Sequence, residues 1–134
     1  MRKLLSSVAA AAVLLTGCVS NDNASGKGGS GFQKLDVKIG DDKCDVSAAK
    51  TESGRVVFTL KNEGTVKNEF EILAPDKLRI VGERENLAPG TTVSYTVVLE
   101  PGEYYTACKK NMVGSLVGAK NFTVSDSGKN VEAS

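Results

Sequence analysis

The feature that most constrains the fold is an alternation of apolar and polar residues, repeated along short segments of the chain. In VVFTLK the apolar residues Val56, Phe58 and Leu60 occupy every second position, and NEFEIL places Phe70 and Ile72 in the same way. Successive side chains of a β-strand point to opposite faces, so a period of two predicts strands with one buried face. Four further segments alternate similarly: LDVKI (35–39), VSYTVVL (93–99), YYTAC (104–108) and KNFTV (120–124).

Turn-forming sequences separate these segments. Each contains a glycine after polar residues or a proline, which is typical of tight turns. They lie at 52–54, 62–64, 88–90 and 100–102. Helical periodicity is not found between residues 34 and 124, apart from one short turn expected around 74–78. The pattern predicts an all-β fold, a Greek-key β-sandwich of about seven or eight strands.

The first 17 residues are expected to be a lipoprotein signal peptide. Arg2 and Lys3 precede an apolar run that ends at Leu15, shorter than the roughly 20 residues of a membrane-spanning helix. The sequence LTGC, ending at Cys18, is similar to the bacterial lipobox, in which cleavage before the cysteine leaves it carrying lipid such as palmitate. This predicts a protein anchored to the extracytoplasmic face of the cell membrane. The alternative is an ordinary signal peptide with a chance cysteine.

Polar segments flank the predicted domain, which spans residues 34–124. Residues 18–33 are expected to be the lipidated cysteine and a flexible tether, and residues 125–134 a disordered tail. Loss of residues 1–17 removes two of the 17 basic residues and none of the 16 acidic ones, which leaves a formal charge of −1. This balance gives no electrostatic reason to expect nucleic acid as a partner.

Common catalytic groups are missing from the sequence. It contains no histidine, no serine in a nucleophile motif and no glycine-rich phosphate loop, so we do not expect an enzyme. Once Cys18 carries lipid, Cys44 and Cys108 remain. In an exported protein such a pair predicts one disulfide, and the alternative is a reduced thiolate pair that binds a soft metal such as Cu(I).

The second half of the chain carries motifs similar to those of cupredoxins. Gly102-x-Tyr104-x-x-x-Cys108 follows a Pro-Gly turn and precedes a loop and a last apolar strand. A closer resemblance is to the cupredoxin-like domain of the EfeO component of bacterial iron-uptake systems, most specifically in the run ERENLAPG (83–90). The resemblance covers residues 34–124 and implies a cupredoxin-like sandwich. The large helical domain that usually follows in that component is not expected here.

The resemblance also indicates where a cupredoxin would bind copper. Asn68 and Asn111 fall at the two imidazole positions, Leu116 lies near the axial position, and Met112 is one place too early in the loop. A type-1 site needs two imidazoles and a thiolate, and asparagine cannot replace the imidazoles. No type-1 copper is therefore expected, although an iron or copper ion could bind elsewhere.

Cys44 and Cys108 are implied by the same resemblance to lie near each other, at the end that holds the copper loop. A disulfide there would close a loop of about 65 residues and could contribute roughly 4 kcal/mol to stability. Tyr104, after the Pro-Gly turn, predicts a tyrosine corner. Lys109 and Lys110 are expected to be solvated, and Met112 to be a loop contact rather than a ligand.

A set of candidate metal ligands remains. Residues two apart on a strand share a face, so each of two glutamate pairs can converge. Carboxylate oxygens suit hard cations such as Fe(III), Mn and Ca, and the iron-uptake resemblance implies the same chemistry. The candidates are Glu69, Glu71, Glu83, Glu85 and Cys108. The alternative is that these acids are ordinary solvated charges paired with Arg84, Lys67 or Arg79.

Two functional hypotheses follow. The first is a membrane-anchored lipoprotein that binds iron, or less favourably copper, through Glu and Cys residues and delivers it to an iron permease. The second is a metal-free interaction module, stapled by Cys44–Cys108, that docks on another envelope protein. Since fold alone does not determine function, clustering of the glutamates would favour the first hypothesis.

Overall fold

The structure is a computed structural model that describes residues 32–129. The predicted signal peptide, Cys18, residues 18–31 of the predicted tether and residues 130–134 of the predicted tail lie outside the described residues. Between residues 32 and 129, no helix is long and apolar enough to cross a membrane.

The described chain is all β, as predicted. Its strands are β1 (Phe32–Ile39), β2 (Cys44–Val46), β3 (Lys50–Glu52), β4 (Gly54–Asn62), β5 (Asn68–Leu73), β6 (Ile80–Leu87), β7 (Thr92–Leu99), β8 (Gly102–Lys110) and β9 (Val117–Ser125). Residues 32–129 thus form nine strands rather than the predicted seven or eight. The difference arises because β2 and β3 have three residues each, too few to show an alternating pattern.

The strands form two sheets that pack face to face. One sheet has the order β2-β1-β4-β7, and the other has the order β3-β9-β8-β5-β6. Strands β1 and β4 are parallel neighbours, while β5 pairs antiparallel with both β6 and β8. β5 is therefore an interior strand and β6 is an edge strand of the second sheet.

The inner faces of both sheets form one apolar core, and the predicted alternation is confirmed. Val56, Phe58 and Leu60 of β4 are fully buried, as are Phe70 and Ile72 of β5. The rings of Phe58 and Phe70 are in contact, with centroids 5.1 Å apart. Burial of these side chains is the main source of stability, at about 1.5–3 kcal/mol for each large apolar residue.

A disulfide joins the two sheets across this core. Cys44 of β2 and Cys108 of β8 are bonded and fully buried, so the predicted pairing is confirmed. Gly118 lies against this bridge with φ 63°, and a Cβ at Gly118 would come within 2.8 Å of the backbone nitrogen of Cys44. The position requires glycine both for its backbone conformation and for the close approach.

Hydrogen bonds hold the ends of the second sheet. The Tyr104 hydroxyl donates to the Glu100 carbonyl at 2.7 Å, which confirms the predicted tyrosine corner. At the far end of β9, the Ser53 amide donates to the Ser125 carbonyl at 2.7 Å, and the Ser127 amide donates to the Ser53 hydroxyl at 2.9 Å. Residues 125 and 127, which belong to the predicted tail, are thus bonded to the sandwich.

Candidate metal site

The outer face of β5 carries two buried glutamates. Phe70 and Ile72 point into the core, so Glu69 and Glu71 point to the other side of the same sheet. A face turned away from the core would normally place such side chains in water, yet Glu69 is only 4% exposed and Glu71 only 1%. Side chains of the flanking strands β6 and β8 lie against them on the same face.

Glu69 meets Glu83 and Glu85 of β6. One carboxylate oxygen of each residue lies within 4.8 Å of the others, which is close enough for all three to bind a single cation. Glu83 stands directly opposite Glu71 in the ladder, and both Glu83 and Glu85 are exposed. Three of the five predicted ligands therefore converge, and we call Glu69, Glu83 and Glu85 the carboxylate cluster.

A β-bulge in β6 makes this convergence compatible with the core. Leu87 pairs with Asn68 and Arg84 pairs with Phe70, so Glu85 and Asn86 together stand opposite the single residue between them on β5. With strict alternation Leu87 would share the outer face with Glu85. The extra residue returns Leu87 to the core and leaves Glu85 beside the cluster.

Met112 supports the bulge. Asn86 has φ 57°, and its backbone N–H donates to the Met112 sulfur at 3.2 Å instead of joining the strand ladder. The predicted role of Met112 as a loop contact is confirmed. The contact links the loop after β8 to the strand that supplies two of the glutamates.

A lysine that sequence reasoning assigned to solvent enters the site. The Lys109 ammonium is 3.0 Å from Glu71 Oε1, and its side chain is only 26% exposed. Glu71 Oε1 has no hydrogen-bond partner, so this contact is an ion pair whose angles do not favour a hydrogen bond. The prediction of a solvated Lys109 is wrong. The alternation of β8 could have predicted this contact. Cys108 faces the core, so the next residue must point to the outer face of the sheet, where the glutamates lie.

Burial controls the protonation of the site. It raises the pKa of Glu69 to about 8, and a hydrogen bond with Glu71 and the charge of Glu71 act in the same direction. The Lys109 charge partly opposes this rise. The Glu71 carboxylate beside the Lys109 ammonium in turn raises the pKa of Lys109 above its usual value.

The chemistry of the cluster suits a hard cation. Three carboxylates supply oxygen ligands, which favour Fe(III), Mn or Ca over Cu(I). Carboxylates bind metal in their ionised form, so a cation entering the cluster would displace the proton that Glu69 holds at neutral pH. Glu71 lies next to the cluster but is occupied by Lys109.

Cys108 does not join the carboxylate cluster. Its side chain lies in the core between the sheets, whereas the glutamates lie on the outer face of the same sheet. Its sulfur is bonded to Cys44, so it offers no thiolate in this structure. In its disulfide form, Cys108 is not available as the metal ligand that the sequence suggested.

Asn68 and Asn111, the residues expected at the imidazole positions of a cupredoxin, make structural hydrogen bonds. Asn68 donates to the side chain of Asn62 at 3.1 Å, and Asn62 donates to the carbonyls of Val66 and Leu87. Asn111 has φ 56°, and its backbone N–H donates to the Lys67 carbonyl at 2.7 Å. Asn62 and Asn68 thus form a side-chain amide network that joins β4, β5 and β6.

Comparison with known families agrees with this architecture. The family described as "Cupredoxin-like domain" matches residues 7–117, most of the chain, and the protein belongs to this family. Reduced auracyanin from Roseiflexus castenholzii has a similar fold, with a TM-score of 0.51 and 15% identity, over 69% of this chain and 96% of that one.

Sequence relatives are more specific. The chain is 37% identical over 77 residues to "Iron uptake system component EfeO" of Yersinia pestis, which covers 58% of this chain. The protein of the same name from Escherichia coli K12 is 33% identical over 75 residues, or 56% of this chain. In both cases the match spans 20% of the relative's own length.

Proposed function

We propose that this protein is an extracytoplasmic metal-binding component of an iron-uptake system, anchored to the cell membrane by lipid on Cys18. Its cargo is iron, with copper less favoured, held by Glu69, Glu83 and Glu85. It passes the ion to another envelope protein, such as an iron permease. The name of the relatives supports the iron assignment, although the match spans only 20% of their own length.

The observation that carries the proposal is the convergence of three carboxylates on one face of the second sheet. Their oxygens lie within 4.8 Å of one another although they come from two strands. In the alternative, the acids would be scattered solvated charges paired with Arg84, Lys67 or Arg79. Within residues 32–129, the lysine nearest to the cluster is Lys109. It forms its ion pair with Glu71, which is not a member of the carboxylate cluster.

Capture and release, rather than catalysis, is the role that such a site fits. The cluster offers oxygen ligands to a cation, and the sequence contains no histidine, the commonest catalytic acid or base. The predicted tether would hold the domain about 20 Å from the membrane on average, at 5–6 Å times the square root of its length. That distance would let the domain reach a membrane-embedded partner.

Calorimetric titration tests this proposal. The full chain, purified in detergent, is titrated with Fe(III)-citrate, Cu(II), Cu(I) and Zn(II) after its free thiols have been counted. We expect Fe(III) to bind with micromolar or tighter affinity while Cys44 and Cys108 remain bridged. Glu69→Gln or Glu83→Gln should weaken binding at least about tenfold, because each removes a charged ligand.

Glu100→Gln is the matched control, since it removes the same charge from an exposed residue beyond the end of β7. It should leave the affinity unchanged. Binding that appears only after reduction would instead point to a thiolate site at Cys44 and Cys108. If no metal binds in either redox state, the metal site is disproved and the disulfide-stapled docking module becomes the better hypothesis.

A further inference from the structure

Lys109 places a positive charge beside the carboxylate cluster. Its ammonium is 3.0 Å from Glu71, whose side chain is 1% exposed. The charges of Glu71, Glu69 and Glu83 all act on Lys109 and favour its charged form. The ammonium is therefore attracted by Glu69 and Glu83, two of the glutamates that would hold a metal ion, as well as by Glu71.

A second observation concerns the partner of Lys109. Glu71 Oε1 is buried and has no hydrogen bond, so its charge depends on the ammonium. Breaking a buried ion pair strands the remaining charge, unless another cation replaces the one that leaves. A metal ion in the cluster is such a replacement, because Glu71 stands opposite Glu83 in the strand ladder.

The side chain of Lys109 can leave its position when a metal ion enters. Lys109 lies at the second position from the end of β8, and its side chain retains 26% exposure, so its ammonium has a path to water. Lysine is a compact charge on a flexible stem and has no fixed hydrogen-bonding geometry to lose.

We propose that Lys109 is a built-in competitor for the metal site: its ammonium neutralises Glu71 and the neighbouring carboxylates when no ion is bound, and it moves away when a cation enters. This inference rests on the proposed function, since it assumes that the carboxylate cluster binds metal. Lys109 then weakens binding of the metal ion and drives its release by returning to Glu71.

Variants of two adjacent lysines test the proposal. The full chain is titrated with Tb(III) and Mn(II), which are hard cations, and binding is followed by Tb(III) luminescence and calorimetry. Lys109→Gln should tighten binding of both ions by at least about tenfold, because the competing ammonium is gone. Lys110→Gln removes the same charge from the exposed neighbouring residue and should change affinity far less.

A double-mutant cycle identifies the pair responsible. In a Glu71→Gln background, Lys109→Gln should give little further gain, because the ammonium has lost its main partner. If Lys109→Gln and Lys110→Gln change affinity equally, only net charge matters and the proposal is wrong. If the wild type binds and Glu69→Gln abolishes binding, but Lys109→Gln has no effect, the metal site stands and this inference fails. If neither the wild type nor Lys109→Gln binds either ion, the proposed function fails as well.

A measurement on the wild type covers the case in which Lys109→Gln does not fold. The NMR signal of the Lys109 ammonium nitrogen is followed while the diamagnetic ion La(III) is added. We expect it to move toward the position of solvated lysines as the Glu69 carboxyl signal shifts. An unchanged Lys109 signal during a clear shift of Glu69 would overturn the proposal.

Discussion

Glu69 shows how one strand position can change the chemistry of a glutamate. At 4% exposure, its carboxyl group has a pKa of about 8, chiefly because burial disfavours its charged form. At neutral pH Glu69 is therefore protonated in the absence of metal, and its carboxyl group adds no negative charge beside Glu71 and Lys109.

The raised pKa of Glu69 predicts a slope in the stability of the metal-free protein. Its folded-state pKa of about 8 lies above the ordinary glutamate value of 4.5, so between these pH values the folded state binds more protons than the unfolded state. Stability contributed by Glu69 is then present below pH 4.5 and is lost as the pH rises toward 8. We expect unfolding in urea to show a fall of at least about 1 kcal/mol between pH 5 and 8.

Glu69→Gln should remove this slope, because glutamine does not titrate, and Glu100→Gln should leave it in place. The carboxyl groups whose pKa is lowered by hydrogen bonds and neighbouring cations act outside this window, since their stabilisation is lost only as the pH falls below about 5. They are Asp41, Asp45, Glu63 and Asp76. A flat wild-type profile between pH 5 and 8 would mean that Glu69 is not buried in solution.

At the scale of the element, β6 is a strand whose irregularity serves the site. Its bulge sends Leu87 into the core and keeps Glu85 on the outer face. Gly82 of the same strand lies against Tyr95 of β7, where a Cβ would collide with the tyrosine hydroxyl. The edge strand is thus held against the other sheet by close contact, while its charged residues face solvent.

Asn86 is the residue at which the bulge can be tested. Its φ of 57° lies in the left-handed region, which glycine adopts freely and β-branched residues resist. Asn86→Val should destabilise the protein by about 1–2 kcal/mol and should also weaken metal binding by displacing Glu85. Asn86→Gly should remain within about 0.5 kcal/mol of the wild type. Urea unfolding and calorimetry measure both effects, and equal stability of the two variants would argue against the bulge.

At the scale of the whole molecule, the second sheet separates two kinds of chemistry. Its inner face carries the disulfide to the first sheet, and its outer face carries the carboxylates. Cys108 and Lys109 are adjacent in sequence but lie on opposite faces of β8. The staple and the candidate metal site can therefore be altered independently.

Replacing both cysteines tests this separation. Cys44→Ala combined with Cys108→Ala should lower stability by about 4 kcal/mol, because the bridge closes a loop with a sequence separation of 64. Metal affinity at the carboxylates should be unchanged at a temperature at which the variant is folded. Loss of binding in a variant that is still folded, as judged by circular dichroism, would show that a cysteine takes part in the site.

Much of the fold could be predicted from the sequence because each strand shows its alternating pattern within a short segment of the chain. The alternation in β4, β5 and β7 identifies buried faces, since the period of a strand depends only on backbone geometry. The tyrosine corner and the disulfide were also predictable, the former from the Pro-Gly turn and the latter from the two cysteines and the resemblance to cupredoxins. The charged strand β6 has a weaker pattern, because it is an exposed edge.

The sequence by itself determined that Glu69 and Glu71 share a face of β5, and that Glu83 and Glu85 can share a face of β6. Only the tertiary structure decided which glutamates meet, because this depends on the order of strands and on the bulge at Asn86. It also decided that Glu69 and Glu71 are buried and that Lys109 joins them, since exposure is set by neighbouring strands that lie far away in sequence. Local patterns record the backbone period, whereas charge, burial and ligand geometry arise from contacts across the sheet.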